Sequence, residues 1–300
     1  MNQSTTEQLN EFMSEVARIP REERLVMMDG LKMPRALVHA DTLNRLPDFQ
    51  ARLDDIVLLS YPKCGCNWVV RLLMHMVKLS HPELDKHPTS HQAHIPLIEF
   101  GPLSKLEGMD AFPSPRVIAS HMPRDRVPAS FFANKCKMVL VFREPKDTAV
   151  SFYHFYNNNP SLPGVDSWDE FYRLFMEGDV PWGVYSDYIK QWDKHWEADN
   201  VLVLTYEELK ADLPGELQKM STFLGLGLSG EQISDVADNG TFSAMKAKAE
   251  ADNFKFGKVV FRKGEVGDWK NYFSEEQSAE LDASYAESLA GTSLATRLNY

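Results

Sequence analysis

Four short, almost uninterrupted apolar runs punctuate the chain: DIVLLSY at 55–61, PRVIAS at 115–120, KMVLVFR at 137–143 and VLVLTY at 201–206. Continuous apolar runs of this length, rich in Val and Ile, suit strands buried on both faces. The segments between them carry apolar residues at helical spacing. Trp68, Val69, Leu72, Leu73, Met76 and Leu79 follow the first run, and residues 146–157 follow the third behind Pro145. Aromatic residues recur at helical spacing over 167–177 and 183–197, and EELKADLPGELQKMSTFLGL follows the fourth run. Strands alternating with helices predict an α/β fold with a mainly parallel sheet covered on both faces. Length would permit two domains, but no repeat or Gly/Ser-rich linker divides the chain, so a single domain over 21–300 is expected. Residues 1–20 are polar at the start and are expected to be partly flexible or helical. Ligands of such sheets bind beyond the C-terminal ends of the strands, so chemistry should gather after residues 61, 120, 143 and 206.

Charge narrows the partners. With 32 Lys and Arg against 43 Asp and Glu, the formal net charge is −11. Nucleic acid and anionic membranes need a broad basic surface, so neither is an expected partner. A few converging cations can still bind a small anion. Three cysteines, Cys64, Cys66 and Cys136, suit a reducing compartment better than a disulfide framework. With no signal-like start and no apolar window long enough to span a bilayer, the expected location is the cytoplasm.

Candidate residues sit where the strand rule puts them. Tyr61-Pro62-Lys63-Cys64-Gly65-Cys66-Asn67-Trp68 joins a strand to a helix. Exposed backbone N–H groups, a helix N-terminus and Lys63 together favour a phosphate. The Lys precedes the Gly, so this is not the triphosphate loop G-x-x-x-x-G-K-[ST]. The plainer reading is an ordinary βα turn. Arg143, with Ser151 eight residues on, suits bidentate phosphate contact or a surface ion pair. His121 in ASHMP titrates near neutral pH and suits a general base; a lone His is more often structural. FRKGEVGDWK (261–270) sets basic residues beside glycines, as phosphate-wrapping loops do and as solvated turns also do. His81, His87, His91 and His94 cluster in a Pro-rich polar stretch that reads as a solvated or pocket-bordering loop rather than a metal site.

Together these segments resemble one family, the cytosolic sulfotransferases. YPKCGCNW resembles the 5′-phosphosulfate loop TYPKSGTTW, and VFREPKDTAVSFYHFY the 3′-phosphate segment RNPKDVAVSYYHF. FRKGEVGDWKNYF resembles the late RKGxxGDWKNxF element, and SHMP the THLP that holds the catalytic His. IPLIEFG (95–101), SWDEFYRLFMEGDVPWG (167–183), LTYEELK (204–210) and GTFSAMK (240–246) are weaker matches in the same order. The resemblance spans about residues 20–300.

It implies a single α/β domain related to P-loop nucleotide kinases. The implied donor is 3′-phosphoadenosine 5′-phosphosulfate (PAPS), leaving PAP as product, with a small-molecule acceptor and no metal. Lys63, Cys64, Gly65, Cys66 and Asn67 would hold the 5′-phosphosulfate, and Arg143 and Ser151 the 3′-phosphate. Arg262, Lys263 and Gly264 would close over it. Trp68 and Phe242 would sandwich the adenine, with Tyr206 at its edge and Thr241 offering a hydroxyl beside it. His121 would be the base and Lys63 the group stabilising the leaving phosphate. Ser151 would hold Lys63 away from the bridging oxygen until an acceptor arrives. Phe100, Phe155 and Phe254 are candidates for the acceptor pocket, which loops near 20–35, 88–105 and 250–261 would border.

The departures are equally specific. Cys64, Cys66 and Asn67 replace a Ser and two Thr, Ala119 replaces a Lys two residues before the His, and Gly240 replaces a Thr. A thiol near a helix N-terminus and Lys63 is a candidate for a lowered pKa and ready oxidation. The usual dimer motif KxxxTVxxxE reads Lys270, Ser274, Glu275 and Ala279, so a homodimer of that kind is doubtful. The competing readings are a PAP or PAPS binder without turnover and a nucleotide-dependent phosphotransferase.

Overall fold

The computed structural model describes residues 5–86, 97–252 and 257–298. Phe254, His87, His91 and His94 lie outside the described residues. A two-stranded hairpin comes first, β1 (Leu25–Met28) and β2 (Leu31–Pro34), paired antiparallel. The main sheet holds β3 (Ile56–Ser60), β4 (Val117–Ser120), β5 (Lys137–Phe142) and β6 (Val201–Thr205). All neighbours are parallel, in the order β4-β3-β5-β6.

The four apolar runs are these four strands, and every residue of β3 and β4 is buried. Their side chains divide by alternation. Val57, Leu59, Met138, Leu140 and Phe142 join an aromatic layer that includes Phe152, Phe171, Tyr185, Tyr188 and Trp192. Ile56, Leu58, Val139, Val141 and Leu204 face the helix Cys66–Ser80 together with Leu217, Met220 and Val236. The expected helices appear at Cys66–Ser80, Pro145–Asn158, Trp168–Glu177 and Tyr185–Asp193. At the base of the sheet, Arg116 donates from Nε and Nη2 to the two oxygens of Asp55, at 2.8 and 2.6 Å, with both side chains buried.

Register brings the strand ends level: Leu59 pairs with Ser120, Ser60 with Val141, and Phe142 with Thr205. The chain runs from β3 outward to β4, then crosses back to β5 on the other side of β3. The crevice between the ends of β3 and β5 is therefore the switch point where such sheets bind ligands.

The hairpin is not evident from the apolar runs, but it carries its own signal. Asp29 and Gly30 both have positive φ, 49° and 77°. That is the Asp-Gly turn of a two-residue hairpin, flanked by VMM and LKM. No helix among the described residues is long and apolar enough to cross a membrane.

Candidate active site

One continuous cavity of about 490 Å³ opens at the sheet's C-terminal edge. It is lined by residues following all four main strands: Lys63 to the helix start after β3, His121 after β4, Arg143 after β5 and Tyr206 after β6. Ser151, Phe242, Arg262, Lys263 and Gly264 line it too, as do Gly65, Cys66, Asn67, Trp68, Phe100 and Phe155.

The loop after β3 is shaped by two positive φ angles, 71° at Lys63 and 111° at Gly65. Gly65 caps the helix Cys66–Ser80, and an added Cβ would lie 3.2 Å from the Tyr206 ring. The first N–H groups of a helix have no intrahelical acceptor, so this turn aims donors and positive potential into the crevice. Lys63 Nζ lies 3.9 Å over the centre of the Phe155 ring. Phe155 thus seats the lysine as well as lining the cavity.

Arg143 is buried behind Lys63. Its Nη1 donates to the Lys63 carbonyl at 3.3 Å and its Nη2 to the Glu265 carbonyl at 3.0 Å, while the guanidinium lies 4.2 Å over Tyr206. Its Nε is buried with no hydrogen-bond acceptor among the described residues. Burial, with repulsion from Arg143 and Arg262, lowers the Lys63 pKa to about 7. Converging cations with an unmet donor are the fit expected of a site for a multiply charged anion.

His121 lines the same cavity as Lys63. Its backbone N–H donates to Glu99 Oε1 at 2.7 Å, and its Nδ1 lies 2.8 Å from the Ser60 carbonyl oxygen. A carbonyl can only accept, so Nδ1 carries the proton and Nε2 is the bare, basic nitrogen. Burial first, and Lys63 after it, lower the His121 pKa to about 4, against the Ser60 hydrogen bond, which raises it. Trp182 meets the imidazole edge-on with ring centres 5.2 Å apart, and Phe100 packs on Trp182. Trp182 itself holds a φ of 67°, uncommon for a bulky residue.

At another part of the cavity wall, Trp68 donates from Nε1 to the Gly240 carbonyl at 2.8 Å and packs edge-on against Tyr206. Asp268 anchors both Arg262 and Lys263 at 2.6 Å. Burial would raise its pKa, but Lys263, Arg262 and Asn271 outweigh that and hold it near 2. Asp147 fixes the same loop by accepting from the N–H of Gly267 and Trp269.

Three expectations need correction. Cys64 does not reach the cavity: its thiol points into the core, 3.3 Å from the Tyr185 hydroxyl and 3.8 Å from Thr148 Oγ1. Burial pushes the thiols of Cys64 and Cys66 up to about 12, opposite to the lowered pKa that reactivity would need. Thr241 serves as a helix cap, accepting from Ala244 N–H and donating to the Asp238 carbonyl, and is not among the cavity's lining residues. Ala119 is fully buried and also off the lining. Ser274 caps the helix Glu275–Ser288 through a reciprocal pair with Gln277.

Other lining residues were not anticipated. They include Arg71, Asn159, Ser161, Leu162, Trp182 and Lys210, and Phe12 and Met13 from the first helix, whereas Lys105 falls in the 88–105 stretch expected to border the pocket. Phe12, Met13 and Val16 follow a helical spacing legible in the sequence.

Residues 53–293 match the family model described as "Sulfotransferase domain". This chain belongs to the sulfotransferase family. It is 45% identical to sulfotransferase 6B1 of Danio rerio, over 98% of each chain. It is also 45% identical to sulfotransferase 6B1 of Homo sapiens, over 90% of this chain and 88% of the relative. Among solved structures, mouse sulfotransferase SULT7A1 complexed with PAP superposes with a TM-score of 0.82. It shares 32% identity and covers 92% of this chain and 98% of its own. The α/β architecture, with its parallel sheet flanked by helices, is that of this sulfotransferase family.

Proposed function

We propose that the chain transfers the sulfonate group of PAPS to a hydroxyl of a small apolar acceptor, with His121 as general base and Lys63 stabilising the leaving phosphate. The observation that carries this reading is the fixed tautomer of His121. The Ser60 carbonyl holds the proton on Nδ1, leaving Nε2 basic in the same cavity as Lys63 and Arg143. The PAP in the mouse relative supports the nucleotide, and the Lys63, Arg143 and Arg262 cluster fits its charge.

PAPS supplies the sulfonate and a phosphate leaving group. His121 Nε2 takes the acceptor's hydroxyl proton as the new O–S bond forms. Lys63, re-protonated beside an anion, neutralises the charge left on phosphate oxygen when the old S–O bond breaks; its effect is greatest in the transition state. Arg143, Ser151 and the Arg262–Gly264 segment hold the nucleotide's remaining phosphate, and Trp68, Tyr206 and Phe242 its ring.

The test is PAP release from PAPS across phenols, steroid alcohols, aliphatic alcohols and amines, with His121→Ala as control. Turnover lost in the control supports the assignment. An unaffected control would remove His121 from the mechanism, and absence of PAP binding would remove the nucleotide.

A further inference from the structure

The cavity is not closed by the sulfotransferase motifs alone. The helix Thr5–Val16 precedes all of them, yet its Phe12 and Met13 line the cavity. Val16 is buried, Phe12 and Met13 are half-buried, and Glu11, Ser14 and Glu15 face solvent. The helix is tied down through Arg24. Its Nη2 donates to the Ala17 carbonyl and its Nε to the Ile19 carbonyl, at 3.0 and 2.9 Å. Its Nη1 donates at 3.0 Å to the carbonyl of Leu162, another lining residue.

The adjoining wall leads back to the base. Pro34, at the end of the hairpin, and Ala36 and Leu37 just after it line the cavity. The Leu37 carbonyl accepts from Gly101 N–H at 2.8 Å, and the Lys32 carbonyl from Trp182 N–H at 3.1 Å. Trp182 is the residue against His121. From the imidazole outward, the wall therefore runs through Trp182 and the hairpin to Leu162 and the first helix. Phe12, Met13, Pro34, Ala36, Leu37 and Leu162 carry no charge, whereas the cations that suit phosphate sit after β3 and β5 and in the 262–263 segment.

We propose that Phe12 and Met13 form the distal wall of the acceptor pocket and contact the far end of the acceptor. The chain then favours elongated, apolar hydroxyl compounds over single-ring ones. This rests on the sulfonate-transfer reading for the identity of the acceptor. An apolar wall with few polar groups selects by length and shape, and loss of an apolar contact shows as about 10- to 200-fold in discrimination.

The test uses the full chain with Phe12→Ala and Met13→Ala combined, and separately Phe12→Trp. Three quantities are measured: PAP affinity, steady-state kinetics with a single-ring phenol and a four-ring hydroxysteroid, and calorimetric binding of that steroid to the PAP-bound protein. The expected result for the double variant is unchanged PAP affinity and phenol kinetics. Steroid affinity and kcat/KM should fall about 10-fold or more. Phe12→Trp, which fills the wall, should lower steroid turnover and spare the phenol. Unchanged steroid binding and turnover in both variants would overturn the proposal, as would equal losses for both acceptors. Wild-type protein that binds PAP but sulfonates neither compound would overturn the transfer reading instead, and the steroid-binding comparison would then decide the wall by itself.

Discussion

The Cys64 thiol donates to the Tyr185 hydroxyl at 3.3 Å, and that hydroxyl in turn donates to the Arg143 carbonyl and accepts from Arg143 N–H, both at 3.0 Å. One buried phenol therefore ties the loop after β3 to the end of β5, holding the two cation-bearing segments in register. Tyr61 adds to the brace by stacking on Tyr185 at 4.6 Å. The Cys64 thiol is therefore part of the buried scaffold beneath the cavity rather than of its lining.

Thiol chemistry follows from that placement. Cys64, Cys66 and Cys136 are all free and buried, and burial raises each of their pKa values, to about 12, 12 and 11. Reactivity belongs to the exposed thiolate. A disulfide-exchange reagent at pH 8 should find essentially no reactive thiol in the native protein and all three after denaturation. Rapid native modification of Cys66, with PAP binding lost, would restore the redox-sensitive reading.

Lys63 makes a pH prediction for nucleotide binding. In the ligand-free protein its pKa is about 7, lowered by burial and then by Arg143 and Arg262. An anion beside it favours the charged form. Above pH 7, PAP binding should therefore take up a proton, and affinity should weaken as pH rises, by at most about 10-fold per pH unit. Calorimetry at pH 8.5 in buffers of different ionisation heat reads the uptake directly. Lys63→Met should bind PAP more weakly at pH 7 and lose this proton uptake. Equal proton uptake in Lys63→Met and wild type would assign the titration to another group.

Most of this site was legible because its residues follow strand ends. Lys63, His121, Arg143 and Tyr206 each come just after an apolar run, and a parallel sheet brings those ends together whatever the intervening distance in sequence. What sequence shows poorly is direction. The φ of 71° at Lys63 turns the Cys64 side chain inward, and no residue type in YPKCGCNW announces that. Thr241 offered a hydroxyl at the right place in sequence, but the helix Phe242–Ala251 needed a cap there. Phe12 and Met13 lie in a stretch expected only to be partly flexible or helical, and it takes the fold to show that they cover a cavity.

His121 should behave as a neutral imidazole over the working range. Burial lowers its pKa to about 4, so protonation should not switch it between pH 8 and 5 in the ligand-free protein, as its ring proton resonances would show. Between about 6.5 and 4 the unfolded chain binds a proton here that the folded chain does not. This group's contribution to stability is therefore present above pH 6.5 and lost as pH falls through about 4. His121→Ala should retain PAP affinity, lose about 10² to 10⁴ in kcat, and show a shallower fall in Tm over that acid range. A variant with near wild-type kcat would dismiss His121 as the base.

Two glycines near Phe242 and Trp68 separate backbone strain from overpacking. Gly264 has a φ of 69°, and an added Cβ would lie 2.4 Å from Phe242 Cδ2. Gly264→Ala combines a left-handed backbone cost of about 1–2 kcal/mol with displacement of the Phe242 ring. PAP affinity should fall by about 10-fold or more if that ring packs on the nucleotide, since such stacking on a base is worth about 1–3 kcal/mol. Gly240 has an ordinary φ of −85°, so its constraint is space alone: an added Cβ would sit 2.4 Å from Leu72 Cδ2 and 2.8 Å from the Val236 carbonyl. Gly240→Thr, which restores the residue type of the family pattern, should destabilise by about 1–3 kcal/mol through overpacking. Adding Leu72→Ala should recover part of that loss, because it removes the closer contact but leaves the backbone one. Chemical denaturation of the two single variants and the double variant gives the coupling energy. Strictly additive losses would mean that Leu72 is not what excludes a side chain at position 240.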